Sequence, residues 1–132
     1  MNELLHQELS GRIINCFFTV YNTLGYGFLE KVYENAMMIE LRKNGIKAQK
    51  QKPIRVFYER ESVGIYFADI IVENLIILEL KAHEYVAAES ELQLINYLKA
   101  TDKEVGLLFN FGKKPEFRRK IFTNDMKKIS LE

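Results

Sequence analysis

The stretch FADIIVENLIILELK, residues 67–81, constrains the fold most, because this very apolar run carries three charged side chains, Asp69, Glu79 and Lys81. Its Ile, Val and Leu content predicts two β-strands joined around Glu73, Asn74 and Leu75. Side chains alternate along a strand, so Ala68, Ile70, Val72, Ile76, Leu78 and Leu80 share an apolar face expected to line a core. Phe67, Asp69, Ile71, Ile77, Glu79 and Lys81 share the other face, expected to point away from it. Opposed residues of a hairpin point the same way. A two-residue turn at Glu73-Asn74 would set Asp69 against Leu78, whereas a three-residue loop, 73–75, sets Asp69 against Glu79 and Phe67 against Lys81. The longer loop keeps charge with charge, and Asn74 tolerates the left-handed backbone that such a loop needs. Two adjacent carboxylates repel unless a cation lies between them, and hard oxygen ligands on a half-buried site suit magnesium or manganese. The pattern equally fits a solvent-facing sheet surface on which Glu79 and Lys81 form a weak ion pair.

A chain of 132 residues is long enough for one domain with a sizeable core, taken here as 1–132, and too short for two. Hydrophobic residues make up 48% and charged residues 28%, the balance of a globular protein. The formal net charge is +1, so nucleic-acid binding would have to come from a local patch. A single cysteine, Cys16, excludes a disulfide framework, a cysteine-ligated zinc site and an iron–sulfur cluster, and fits a reducing compartment. The start, MNELLHQELS, lacks the basic and apolar regions of a secretory leader, and no run reaches membrane-spanning length. The expected location is therefore the cytoplasm, with no membrane partner.

Along the chain, Leu5, Leu9, Ile13, Phe17, Val20 and Leu24 recur at helical spacing and predict a first helix over 3–24. Cys16 lies beside that stripe as a small core residue. Gly25-Tyr26-Gly27 reads as a helix-to-helix turn, and a second helix is expected over 28–44 with Leu29, Val32, Tyr33, Ala36, Met37 and Leu41 buried and Gly45 as its stop. Strands are expected over 46–58, 64–73 and 75–82, with Pro53 marking the first as an edge or irregular strand. A helix over 87–100, a strand over 105–112 and an edge strand over 117–122 complete the order. The helix before 105–112 provides the crossover that a parallel strand pair requires.

Three sets of residues carry a resemblance. Asp69 followed by Glu79-Leu80-Lys81 resembles the site of the PD-(D/E)XK nuclease superfamily, with Ala68 where many members have proline. Gly27-Phe28-Leu29-Glu30-Lys31-Val32-Tyr33 is similar to the signature of the GxxExxY protein family, placed within that superfamily. Gln93-Leu94-Ile95-Asn96-Tyr97 resembles the Q-x-x-x-Y element of RecB-like nucleases.

The resemblance covers about 25–122 and implies an α/β (α+β) fold, the restriction-endonuclease-like α-β-β-β-α-β core with a mixed central sheet flanked by helices and an extra N-terminal helix. It implies a magnesium- or manganese-dependent nuclease acting on nucleic acid, with DNA preferred as substrate and RNA left open. Asp69, Glu79 and the Leu80 carbonyl would hold the metal, Glu30 would complete the site, and Lys81 would orient water or stabilise the transition state. Gln93 would help orient Lys81 or the water, and Tyr97 would contact the nucleic acid. Lys50, Lys52, Lys113, Lys114, Arg118, Arg119 and Lys120 are candidate phosphate contacts. A homodimer is compatible with all of this. Two other readings stay open: a nucleic-acid-binding domain with a residual site, and an interaction module on the same fold.

Overall fold

The computed structural model describes residues 5–129, and positions 3 and 4 of the expected first helix lie outside them. Two helices lead, α1 (Gln7–Leu24) and α2 (Glu30–Lys43). Strands β1 (Ala48–Tyr58), β2 (Glu61–Val72) and β3 (Ile76–Lys81) follow, then α3 (Ala88–Lys99), β4 (Val105–Phe111), β5 (Pro115–Ile121) and a short 3-10 turn at Asn124–Met126. The five strands form one sheet in the order β1-β2-β3-β4-β5. Only β3 and β4 run parallel, joined by the α3 crossover, and the other pairs are antiparallel. The expected α/β fold with a mixed sheet between helices is the one observed.

Helices cover both faces of the sheet. On one side Ile13, Phe17 and Val20 of α1 and Tyr33, Met37 and Leu41 of α2 pack on Ile70, Val72, Ile76, Leu78, Leu80, Phe109 and Phe111. Phe17 stacks on Phe109 at 4.5 Å, and Tyr33 stacks on Phe111 at 4.1 Å. Helix α1 is therefore part of the main core. On the other side Leu94, Tyr97 and Leu98 of α3 cover Ile54, Ala68, Ile71, Ile77 and Leu108. The face carrying Glu79 is thus a second core, and Glu79 is only 3% exposed rather than pointing away from apolar packing. The reason is the crossover itself, which lays α3 across that face.

The 73–75 loop has the expected length, with Val72 paired to Ile76 and Ile70 to Leu78. Glu73 and Asn74 are both left-handed, at φ 51° and 57°. The loop tolerates this because Glu73 is held twice: its N–H donates to the Lys47 carbonyl, and its Oε2 accepts from the Lys47 N–H, each at 2.8 Å. Helix α2 ends as expected at Gly45, φ 72°, with the Gly45 N–H donating to Arg42 O and the Ile46 N–H to Leu41 O, the Schellman arrangement. Its start differs from expectation. Leu29 precedes the helix as its N-cap and is 81% exposed, and Val32 is 38% exposed, so the first helical turn does not bury them as the apolar stripe would require. Pro53 does lie in an edge strand, the place in a sheet where proline is tolerated.

One departure from simple alternation matters for the site. On β2, Ile70 and Val72 pack with α1 and α2, but Ala68, of the same parity, packs under α3. On β1, Ala48 packs with the first core and Lys50 donates to Asn35 of α2, whereas Ile54 packs with the second. Both strands therefore switch faces, and Ala68 lines the opposite core from the one its parity predicts. The switch falls at Gln51 and Asp69, which stand opposite each other between the pairs Lys50↔Ile70 and Lys52↔Ala68 and are left out of the ladder. Gln51 takes φ 56°, a left-handed conformation inside a strand that glutamine seldom adopts.

Candidate active site

Continuing the β2–β3 register beyond Ile70↔Leu78 brings Asp69 opposite Glu79. Backbone pairing stops there and the carboxylates replace it. The Asp69 N–H donates to Glu79 Oε2 at 3.0 Å, and the Leu80 N–H donates to Asp69 Oδ2 at 2.7 Å. Each side chain takes the place of a ladder carbonyl, which the break in alternation at Asp69 makes possible. The other oxygen of each, Asp69 Oδ1 and Glu79 Oε1, accepts no hydrogen bond among the described residues.

Burial pushes the Glu79 carboxyl up from 4.5 to about 8, and the charge of Asp69 pushes the same way, while the Asp69 N–H and the Lys81 ammonium oppose them. Asp69 is also raised, first by burial, against the Leu80 N–H, with the Glu34 charge adding to the rise. Burial opposes the ionisation of both acids, the Asp69 charge adds to this at Glu79, and Glu34 and Glu30 add to it at Asp69, so a cation would relieve the whole group. Lys81, half-buried at the end of β3, favours charge on both.

A pocket of about 240 Å³ opens against Asp69, lined by Glu30, Lys31, Glu34, Gln51, Asp69 and Leu80, with Glu79 buried behind Asp69 and outside the lining. Glu30 begins α2, where a carboxylate is favoured by the helix dipole, and it reaches the same pocket as Asp69. Glu34, one turn further on, is only 5% exposed. Its Oε2 accepts from Gln51 Nε2 at 3.1 Å and its Oε1 from Lys31 Nζ at 3.5 Å. Sequence reasoning missed Glu34 and Gln51. The i,i+4 spacing from Glu30 was a signal for the first. Only the β1–β2 register, which sets Gln51 across from Asp69, reveals the second.

The donors present are carboxylate and carbonyl oxygens, the set that suits magnesium or manganese. Among the described residues, no three Asp, Glu, His or Cys side chains already stand together as a metal cage.

The rest of the GxxExxY-like segment is structural. Gly27 takes φ 108°, and the buried Tyr33 hydroxyl donates to the Gly25 carbonyl at 2.8 Å and accepts from the Phe28 N–H at 3.3 Å, closing the turn that presents Glu30. The segment after Lys81 is held from β4. Asn110, fully buried, accepts from the His83 N–H at 2.9 Å and donates to the His83 carbonyl at 3.0 Å. Gly112 has no Cβ because one would collide with the His83 carbonyl. An asparagine inside the apolar run VGLLFNFG was the sequence signal for this clamp.

Gln93 and Tyr97 do not share the Glu30 pocket, contrary to a single convergent site. They line a separate groove of about 440 Å³ between α3 and the β1–β2 hairpin, with Val56, Val63, Tyr66 and Leu92. Gln93 Nε2 donates to the Tyr97 hydroxyl at 3.1 Å. Tyr97 still senses the carboxylates, since α3 covers the face that carries Glu79: burial, then the charges of Glu79 and Asp69, raise its hydroxyl to about 12. Several candidate phosphate contacts are engaged within the protein. Lys120 pairs with Glu91 at 2.6 Å, Arg118 lies 4.0 Å from Glu91 and Glu116, Arg119 donates to the Leu5 carbonyl, and Lys50 to Asn35 at 3.0 Å. Lys52 is half-buried on β1, whereas Lys113 and Lys114 are exposed in the β4–β5 turn beside His83.

No helix among the described residues is long and apolar enough to cross a membrane. Compared with known proteins, the chain is matched by the family model of the PD-(D/E)XK nuclease superfamily over residues 7–120. No curated protein and no solved structure matches it. The matched span runs from the first residue of α1 into β5 and takes in every element that carries the carboxylates and Lys81, so the chain belongs to the PD-(D/E)XK nuclease superfamily.

Proposed function

We propose that the protein is a cytoplasmic nuclease that depends on magnesium or manganese and hydrolyses phosphodiester bonds, in DNA before RNA, with residues 25–122 as its working core. The observation that carries this reading is the pair of half-buried Asp69 on β2 and buried Glu79 on β3, whose ionisation burial opposes, with Lys81 at the end of β3. A bound metal would supply charge neutralisation at the scissile phosphate and a more acidic water. Asp69, Glu79 and the Leu80 carbonyl would hold it, flanked by Glu34 and Glu30. The Lys81 ammonium stabilises negative charge as it develops on the phosphate oxygens, and does so strongly because Glu79 and its surroundings exclude water. Glu79 would have to be ionised to hold a cation, so cation binding would weaken as the medium becomes more acid. Gln93 holds the Tyr97 hydroxyl, and with it the ring that backs the carboxylates.

Cleavage of a panel of DNA and RNA substrates with and without magnesium tests the reading, run beside Lys81→Ala and Asp69→Asn. Lys81→Ala is expected to lower cleavage by about 10² to 10³-fold while metal affinity stays within about twofold, and Asp69→Asn to lose both. A second reading, nucleic-acid binding without turnover, is favoured by the hydrogen bonds that tie one oxygen of each acid to the backbone. It predicts no cleavage by the parent with any divalent metal. Metal-independent cleavage, or an unimpaired Asp69→Asn, would overturn the metal-site assignment.

A further inference from the structure

Three loops meet around the mouth of the carboxylate pocket: the turn before α2, the segment after β3 and the β4–β5 turn. Glu30 Oε2, directly after the first, lies 4.0 Å from His83 Nε2 of the second. Gly112, just before the third, packs on the His83 and Glu84 carbonyls. The Tyr21 hydroxyl lies 2.7 and 2.8 Å from the carbonyl oxygens of Gly112 and Lys113, at the end of the helix that leads into the first turn.

These loops expose large apolar side chains where solvent-facing polar residues would be expected. Tyr26 is 57% exposed, Leu29 81% and Tyr85 69%. Phe28, 48% exposed, leans edge-on against Tyr33 and is partly committed to the fold. Lys113 and Lys114 lie exposed in the same rim, and the Lys31 side chain is 62% exposed on the first turn of α2. A protein core has no use for these rings, which are not buried. A lipid surface or an apolar peptide would not call for lysines around an acidic, cation-seeking pocket.

We propose that this rim binds single-stranded nucleic acid, stacking unpaired bases on Tyr26 and Tyr85, with Leu29 packing beside them, while Lys113 and Lys114 take the phosphates leading to the pocket. The proposal rests on the nuclease reading for the kind of ligand, and it goes beyond that reading in naming its strandedness. A duplex hides its base faces in the stack apart from the outer face of each terminal pair, so it could use little besides the lysines. An unpaired strand offers both phosphates and rings, and base–aromatic stacking tolerates any base.

The test is direct binding, without turnover, in EDTA. Fluorescein-labelled single-stranded DNA, single-stranded RNA and a blunt two-strand DNA duplex are titrated with the parent, with Tyr26→Ser/Tyr85→Ser and with Lys113→Ala/Lys114→Ala. The single strands should bind about tenfold or more tightly than the duplex, and the tyrosine variant should lose about tenfold on single strands and little on the duplex. The lysine variant should weaken all three alike and flatten the salt dependence. Because the chain has no tryptophan, Tyr85→Trp places a single indole in the rim, and its fluorescence should be quenched by single strands and not by the duplex. Equal affinity for single strand and duplex, no binding of either, or an unchanged tyrosine variant would overturn the proposal. So would a tyrosine variant that alters sedimentation and leaves nucleic-acid affinity intact, which would make the rim an interface between copies. A parent that binds single strands through Tyr26 and Tyr85 but never cleaves them would sink the nuclease reading and leave this one standing. A parent that cleaves duplex and single strand equally would do the reverse.

Discussion

Glu79 connects charge, folding and cation binding at a single side chain. Its carboxyl titrates near 8 in the fold against an ordinary 4.5, so between those values the folded chain holds a proton that the unfolded chain has lost. Metal-free stability should therefore be greatest on the acid side of that window and fall as the pH rises through about 8. Urea unfolding in EDTA from about pH 5 to about pH 8.5 would read this slope, and saturating magnesium should abolish it by favouring the ionised form. Removing the neighbouring charge with Asp69→Asn should flatten the slope and stabilise the metal-free protein near pH 8 by about 1 kcal/mol, while metal binding is lost. A metal-free parent whose stability rises with pH would contradict the placement of Glu79. The sequence made both acids and their opposition legible, because only a three-residue loop keeps charge against charge. Their depth was not legible, because the cover comes from α3, which follows β3 in the chain.

At the scale of elements, the β1–β2 ribbon changes face at Gln51 and Asp69, and this turns Asp69 toward α2 and its two acids. The left-handed backbone of Gln51 is held against its intrinsic preference, and its amide reaches Glu34. Gln51→Gly should therefore raise the metal-free melting temperature by about 3 °C while weakening magnesium affinity by about tenfold, a divergence that thermal melts and calorimetry would separate. An equal loss of both would make Gln51 an ordinary structural residue. The segment after β3 depends on β4 in a similar way. Gly112→Ala forces a methyl group against the His83 carbonyl, and cleavage should fall with it because the displaced segment begins directly after Lys81. Alternation along a strand predicts faces only while the strand stays regular. No local pattern marks the left-handed residue in QKQKP, which is why Ala68 was assigned to the wrong core.

For the molecule as a whole, two helices cover one face of the sheet and one covers the other, and the site lies where the ribbon passes between these layers. Helix α1, read from the sequence as an addition to the common core, carries Phe17, which stacks on Phe109 and packs edge-on to Phe111 at 4.9 Å. Phe17→Ala should cost about 3 to 5 kcal/mol in chemical unfolding, the loss expected of a central aromatic residue. A cost below about 1 kcal/mol would restore α1 to the status of an appendage. Element order and the parallel β3–β4 pair were legible in advance, because helical and strand periods alternate cleanly and a crossover of helical length separates the two strands.

The sequence by itself determined the strand pair, the length of its loop and the opposition of Asp69 and Glu79, since these follow from side-chain period and turn length within fifteen consecutive residues. The resemblance nominated Glu30, and the structure brings it into the pocket with Asp69. Tertiary structure alone decided that Glu34 and Gln51 join those acids and that Gln93 and Tyr97 open into a different groove. It also buried the charged face and made three distant loops share one rim. Each of these depends on residues far apart in the chain meeting across the sheet, and nothing in a local period carries that information.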